Sequence, residues 1–442
     1  MSDIIVAPAT SVATSGAVGI VRLSGEGALD IASKVFSSKE LDFANITPRT
    51  LYLGKLSTNN FNDKAFCVFY KAPKSYTGED MIEFHTHGGT AIMQGVIRKL
   101  VALGARPAHA GEFTKRAFLN NKMSLDEAEG VADIISAESE AQINQAYRMI
   151  SGDISRGINA ICDMLLTASA NLEVVLDYPE ELGEDTQTPT YDIINEALAK
   201  IKALLNGASN RRYIQQGITI ALAGLPNVGK SSLMNALLND ERAIVTEIAG
   251  TTRDTLREHM EIEGVKVNLI DTAGIRQSDD VVEKIGIDRA KSAIDSADLV
   301  LFIADLTQPF SAEEERILQD TAHKPRIIIG NKCDNMQFER TVDIQISAKN
   351  MINITELVSI ITQKVDIAAA SSGAVITRDR HIHSLQVAEK SLEEALAHFG
   401  VITLDCTIVD LKTAYRALCD ITGYDVDESV VEEIFSKFCV GK

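Results

Sequence analysis

The chain has 442 residues, 45% of them apolar, with 43 Lys and Arg against 62 Asp and Glu for a net charge of −19. That length predicts two or three domains, and that charge excludes a protein whose main task is to coat nucleic acid non-specifically. Six scattered cysteines (67, 162, 333, 406, 419 and 439) fit neither a zinc site nor a disulfide framework, no apolar run approaches the roughly 20 residues of a membrane span, and no signal peptide is legible, so a cytoplasmic protein is expected.

The first 122 residues carry 14 Lys and Arg against 10 Asp and Glu, a net of +4, which leaves −23 for the rest. A polyanion would therefore meet its better surface in the N-terminal quarter. Short β-like runs (18–23 and 65–70) mix there with a helical one (90–103), which predicts a compact α+β domain over 1–120. From Ser124 the apolar spacing becomes helical, with a Ser-x-x-Glu start at Ser124 and Glu127. Helical texture runs on to Tyr178. The segment 179–190, rich in Pro, Gly and acid, reads as a solvated loop. A helix over 191–206 follows.

Strands and helices then alternate to about residue 367: 218–223, 231–239, 265–270, 284–295, 299–304, 311–320, 326–330, 343–347 and 355–365. That alternation predicts a doubly wound, mainly parallel sheet. Residues 368–374 read as a hinge, and the remainder is helical. The organisation expected is thus a multidomain chain: an α+β N-terminal domain (1–120), a discontinuous all-α domain (121–213 and 375–442) and an inserted α/β P-loop G domain of Ras-like type (214–374).

Gly224-Leu225-Pro226-Asn227-Val228-Gly229-Lys230-Ser231 fits the P-loop pattern between a strand and a helix. Its backbone N–H groups would face phosphate oxygens, Lys230 would meet the β- and γ-phosphates, and Ser231 would offer an oxygen to Mg²⁺. Asp271-Thr272-Ala273-Gly274 is the stretch expected to sense the γ-phosphate. Thr251 and Thr252 lie between these motifs, where a switch threonine completes the metal shell. Asn331-Lys332-Cys333-Asp334 selects the base, because the Asp334 carboxylate accepts from guanine and is repelled by adenine. Ser347-Ala348-Lys349 would close over that base. The nucleotide is therefore GTP. One feature is out of pattern: Ile275 stands where many such enzymes carry a water-orienting Gln.

With Ile275, Asn227 and the loop 246–251, and with the stretches SYTGEDMIEFHTHGG (75–89), GEFTKRAFLNNKMSLDEAEGVADII (111–135), AIVTEIAGTTRDTLREH (243–259) and the ending FCVGK, the chain resembles the tRNA modification GTPases of the MnmE (TrmE) type over essentially its whole length. The resemblance implies GTP contacts at Asn227, Val228, Gly229, Lys230, Ser231 and Ser232; at Thr246, Glu247, Ile248, Ala249, Gly250, Thr251 and Thr252; at Asp271, Thr272, Ala273 and Gly274; and at Asn331, Lys332, Asp334, Ser347, Ala348 and Lys349. Mg²⁺ would be held by Ser231 and Thr252. A K⁺ ion would be held by Asn227, Thr246, Ile248 and Thr251, supplying charge where an arginine finger otherwise stands. Glu283 would orient the water in place of the missing Gln, with Lys230 and Thr252 also catalytic.

The resemblance further implies a tetrahydrofolate derivative (5-formyl or methylene) bound by Arg22, Glu83, Lys122 and Lys442. Cys439 would be a nucleophile or redox participant, its thiolate favoured by Lys442. Partners implied are a second copy of the chain, an FAD-containing MnmG-type protein in a heterotetramer, and tRNA, whose wobble uridine is modified at C5. His85 and His87 lack a third ligand and read as structural. Arg211, Arg212 and the run Arg378-Asp379-Arg380-His381 flank the G domain as helix ends or hinge and RNA contacts. Two other readings share some motifs: a ribosome-assembly switch of the Era or EngA kind, and a folate-dependent aminomethyltransferase-like enzyme.

Overall fold

Alternating burial along the first strands builds the N-terminal sheet. In the computed structural model, which describes residues 3–207, 211–239, 243–245, 257–271, 292–365, 367, 376–401 and 403–441, seven strands lie in the order β3-β4-β5-β6-β2-β1-β7. They are β1 (Ile5–Pro8), β2 (Val18–Ser24), β3 (Phe36–Ser37), β4 (Tyr52–Ser57), β5 (Asn62–Tyr70), β6 (Met81–His87) and β7 (Arg106–Pro107). All pairings are antiparallel except β1 with β7. One sheet face buries Val21, Leu23, Leu56, Cys67, Phe69, Ile82 and Phe84 with α1 (Ala28–Ser33) and α2 (Thr90–Ala102). On the opposite face Arg22 and Glu83 sit side by side, paired in register.

Helices α3 (Glu112–Leu119), α4 (Leu125–Ser136), α5 (Glu140–Ile150), α6 (Asp153–Asp177), α7 (Pro179–Gly207) and α8 (Arg211–Gln216) follow. At the α4 start the Ser124 N–H donates to Glu127 at 3.0 Å, while the Ser124 hydroxyl is shared with Ser155 instead of capping the helix. Length and composition would let α6 cross a membrane. Its buried stripe of Ile154, Ile158, Ile161, Leu165, Leu172 and Val175 is the core face of an amphipathic helix, however, and α6 packs against a late helix. The expected loop at 179–190 is helical. α7 starts at Pro179, whose missing N–H costs nothing in a first turn, and runs on through Pro189.

The second sheet runs β14-β13-β12-β8-β11-β10-β9. Its strands are β8 (Ile218–Ala223), β9 (Ala243–Val245), β10 (Arg257–Ile262), β11 (Val265–Asp271), β12 (Leu299–Asp305), β13 (Arg326–Asn331) and β14 (Ile344–Gln345). The five from β14 to β11 are parallel. β10 and β9 are antiparallel additions that the sequence reading did not anticipate. β12 is buried at every position, as a central parallel strand must be. Helices α9 (Lys230–Leu238), α10 (Ala312–Asp320) and α11 (Ile354–Lys364) accompany the sheet. The last three are α12 (Asp379–His398), α13 (Leu404–Thr422) and α14 (Glu428–Ser436).

The chain divides into two compact units, residues 1–135, 149–194 and 391–442 in one and 136–148 with 195–390 in the other. In the first, α13 packs along α6 and buries Leu411, Ala414 and Leu418. In the second, the first turns of α5 join the G-domain core: Ala141 lies in its hydrophobic cluster and its N–H donates to Gly264 at 2.9 Å. The hinge expected at 368–374 lies outside the described residues. Arg211 reaches Asp379 at 3.0 Å and Arg212 reaches Asp298 at 3.4 Å, so these cations have acidic partners in the second unit. His381 is fully buried.

Candidate functional site

The P-loop leaves β8 and enters α9. Gly229 sits at φ +101°, and a Cβ there would lie 2.2 Å from the Asn331 amide, so no other residue fits. Asn227 adopts φ +63°, a left-handed conformation that Asn tolerates. Lys230 is buried, its Nζ donating to the carbonyls of Gly224 and Leu225 at 2.7 Å each. Those bonds curl the loop around the ammonium, and phosphate oxygens are the acceptors such a cradle exchanges them for. Ser231 Oγ donates to the buried Asp271 carboxylate at 3.5 Å. An oxygen-only pair of this kind suits a hard cation such as Mg²⁺.

The base motif is tied to this loop. Asn331 donates to Val228 O at 2.8 Å and accepts from the Ala348 N–H at 3.1 Å. Lys332, at φ +64°, donates to Asn227 O at 3.1 Å and to Asp305 at 2.6 Å. Burial alone would raise the Asp305 carboxyl, but Lys332 and the Thr307 hydroxyl and N–H outweigh it and hold it below its ordinary range. Asp334 is exposed on the turn Cys333–Asn335 that follows β13. Asn227, Val228, Gly229, Lys230, Ser231, Ser232, Asn331, Lys332, Ser347, Ala348 and Lys349 thus follow the carboxyl ends of β8, β13 and β14, the customary binding crevice of such sheets. Thr246, Glu247, Ile248, Ala249, Gly250, Thr251, Thr252, Thr272, Ala273, Gly274, Ile275 and Glu283 lie outside the described residues.

A second cluster lies in the N-terminal sheet. A cavity of about 470 Å³ is lined by Arg22, Arg49, Tyr70, Lys74, Tyr76 and Lys122 together with Glu83, Ser75 and Met81. Arg22 grips Glu83 through Nε at 2.9 Å and a terminal nitrogen at 2.8 Å, and its guanidinium lies over the Tyr76 and Phe113 rings. Burial raises the Glu83 carboxyl, yet the hydrogen bond from His85 and the charge of Arg22 hold it below normal. Burial, joined by the Glu83 charge, raises the Tyr70 phenol, which stays a neutral donor. Glu83 Oε1 takes both Arg22 contacts, while Oε2 has only the long bonds from His85 at 3.4 Å and Tyr70 at 3.5 Å, so a buried carboxylate oxygen can exchange these for the N–H donors of a flat heterocycle such as a pterin.

The C-terminal strand end closes on the same face. Val440 bridges Ala110, and the Gly441 carbonyl accepts from Arg22 at 3.4 Å. Gly441 has φ +102° and its α-carbon would carry a Cβ 1.9 Å from Pro8 O, so the chain can pass here only as glycine. Cys439 is exposed. Lys442 lies outside the described residues. Of the folate residues expected, Arg22, Glu83 and Lys122 therefore share one cavity. His85 faces Glu83 at 3.4 Å and His87 faces Asp63 at 2.6 Å. Among the described residues no group of three potential ligands could hold a metal ion.

The sequence reading did not single out Asp305, Thr307, Tyr70, Tyr76, Arg49 or Lys74. Asp305 had a signal, an acid closing the apolar strand LVLFIAD. Tyr70, Tyr76, Arg49 and Lys74 had none, because most of their neighbours in the cavity are remote in the chain.

Comparison with known proteins follows the same division. Residues 4–122 match the family model of the GTP-binding protein TrmE N-terminus, and residues 125–439 match that of the MnmE helical domain. The "tRNA modification GTPase MnmE" of Aquifex aeolicus is 39% identical, with all of both chains covered. Those of Finegoldia magna and Alkaliphilus metalliredigens are each 37% identical, again over all of both chains. A crystal structure of Aquifex aeolicus Era bound to GDP and AlF4⁻ matches at 28% identity over 39% of this chain and 66% of that one, with a TM-score of 0.28, and leaves most of this chain unmatched.

Proposed function

The chain belongs to the MnmE family of tRNA modification GTPases, and from that premise we propose a K⁺-dependent GTP hydrolase that works with an FAD-containing MnmG-type protein to add a carboxymethylaminomethyl-type group at C5 of the wobble uridine of certain tRNAs. That the chain is a GTP-hydrolysing enzyme of tRNA modification follows from the family. The finer assignments are ours. The observation that carries the folate assignment is the convergence of Arg22, Glu83 and Lys122, 100 residues apart, on one cavity in a chain that also builds a P-loop; the K⁺ and partner assignments rest on the resemblance. A ribosome-assembly switch has no use for that cavity.

In this reading Lys230 neutralises the β- and γ-phosphates, and Asp334 selects guanine. Ser231 and Thr252 would hold Mg²⁺, which would neutralise negative charge on the phosphates. K⁺ would be held by Asn227, Thr246, Ile248 and Thr251 and would supply the positive charge that an arginine finger otherwise provides. Glu283 orients the water. Arg22, Glu83, Lys122 and Lys442 hold the tetrahydrofolate one-carbon derivative, which supplies the one-carbon unit. Cys439 participates in that chemistry. The protein acts in the cytoplasm as a homodimer within a heterotetramer, with an N-terminal domain over 1–120, a helical domain over 121–213 and 375–442, and a G domain over 214–374.

The test is GTP hydrolysis by the full chain in K⁺ against Na⁺ buffer at several protein concentrations. A K⁺-specific stimulation of roughly tenfold or more, rising with protein concentration, is expected if a cation substitutes for an arginine finger. Equal rates in both salts would overturn the cation assignment.

A further inference from the structure

The cavity of the N-terminal sheet holds more positive charge than a pterin and a single glutamate require. Its lining has four cations, Arg22, Arg49, Lys74 and Lys122, and one carboxylate, Glu83. Arg22 and Glu83 pair with each other. That leaves three cations around one mouth, in a protein whose net charge is −19. Among the described residues none of the three has a carboxylate partner within ion-pair distance.

Their placement is built, not incidental. Arg49 is held at φ +63°. Its N–H donates to Phe69 O at 2.7 Å, and its guanidinium donates to Lys74 O at 3.1 Å. Lys122 Nζ donates to Pro73 O at 3.0 Å. Two adjacent carbonyls of one loop therefore draw two cations to the same rim, beside the Lys74 ammonium. Uncompensated like charges gathered in this way raise the local potential and favour an incoming polyanion.

We propose that Arg49 and Lys74 form a subsite for the γ-linked glutamate tail of a polyglutamylated reduced folate. The proposal rests on the folate reading of this cavity. The Arg22–Glu83 pair and the two tyrosines mark the end for the heterocycle, so the three unpaired cations mark the end for the tail. A monoglutamate tail has two carboxylates, and every added γ-linked residue brings one more. Three rim cations thus exceed the monoglutamate and match a longer tail.

The experiment measures the affinity of the full chain for 5-formyltetrahydrofolate carrying one glutamate and carrying three, by calorimetry at about 0.1 M salt. Exposed ion pairs contribute a factor of roughly two to five each, so the triglutamate is expected to bind roughly tenfold more tightly. Arg49→Ala and Lys74→Ala should each remove a factor of roughly three to five from the triglutamate affinity and leave the monoglutamate nearly unchanged. Arg49→Lys should retain most of the preference. Alanine at 49 keeps the same backbone bond to Phe69 O, and circular dichroism checks the fold. Equal affinity of wild type for the two tails overturns the subsite alone. Binding of neither removes the folate reading and the subsite with it. Loss of tRNA affinity in Arg49→Ala, with the tail preference intact, would assign the rim to phosphates and overturn the proposal.

Discussion

Asn331 donates its side-chain N–H to the Val228 carbonyl at 2.8 Å, joining the base-recognition strand to the P-loop across 103 residues of sequence. Its oxygen accepts from the Ala348 N–H, so one buried amide fixes three loops. Asn331→Ala would orphan two buried backbone groups at about 1–3 kcal/mol each. The variant is expected to lose about 2–4 kcal/mol in denaturant unfolding and to raise the KM for GTP at least about tenfold. Unchanged KM and unchanged stability would show that Asn331 is not the clamp.

A second prediction concerns acid. Asp3, Arg106, Glu112, Arg116 and Glu79 form one network at the entry to the N-terminal sheet. Burial would raise the Glu112 carboxyl, but hydrogen bonds from Arg106, the His109 N–H and Arg116 hold it at about 2. Arg106 likewise holds Asp3 at about 2. A depressed carboxylate contributes stability that is complete above its unfolded value, near 4, and is lost as pH falls through the folded value. Stability should therefore fall between pH 5 and 2, and Glu112→Gln should flatten that fall by on the order of 1–2 kcal/mol after allowance for solvent screening. Urea midpoints measured across that range decide it; parallel curves would remove Glu112 from the acid response.

Much of the nucleotide site was legible because its chemistry sits in contiguous runs. Gly224 to Ser231 and Asn331 to Asp334 each read without any knowledge of the fold, and the buried run 299–305 could only be a central strand. The β9–β10 pair was not legible, because REHMEI carries three charged side chains yet gains its place by antiparallel pairing with β11. The acidic stretch after Tyr178 misled for the opposite reason: composition suggests solvent, while Pro179 suits a helix start. Arg49 and Lys74 were invisible because no local pattern announces residues that meet only when β5 and the 71–75 loop are in place.

The cysteines give a third prediction. Scattered in sequence, Cys162 and Cys419 are hydrogen-bonded to each other where α6 meets α13. Burial pushes the Cys162 thiol up to about 12 and the Cys67 thiol to about 12, and it raises Cys419 too. Thiolate, not thiol, is the nucleophile. An aromatic disulfide reagent at pH 8 should thus label the exposed Cys406 and Cys439 quickly, with the three buried thiols reacting only after denaturation. Rapid labelling of four or more residues in the native protein would contradict this.

The last prediction separates the two sites. Glu83 lies in one compact unit and the P-loop in the other, and each has its own hydrophobic cluster. Glu83→Gln keeps the shape of the side chain but removes the charge that Arg22 grips at 2.8 Å. A neutral amide offers one acceptor where the carboxylate offered two, so a charge-assisted contact of about 1.5–3 kcal/mol is lost. Reduced-folate affinity should fall roughly tenfold to a hundredfold, while kcat for GTP in the absence of folate and tRNA should change less than about twofold. Arg22→Lys supplies the complement: it keeps the charge but loses the planar fork and the stacking on Tyr76 and Phe113, and should weaken folate binding by a comparable factor. If Glu83→Gln instead slows basal GTP hydrolysis as much as it weakens folate binding, then the cavity and the P-loop are not independent, and Glu83 serves the nucleotide site as well as its own.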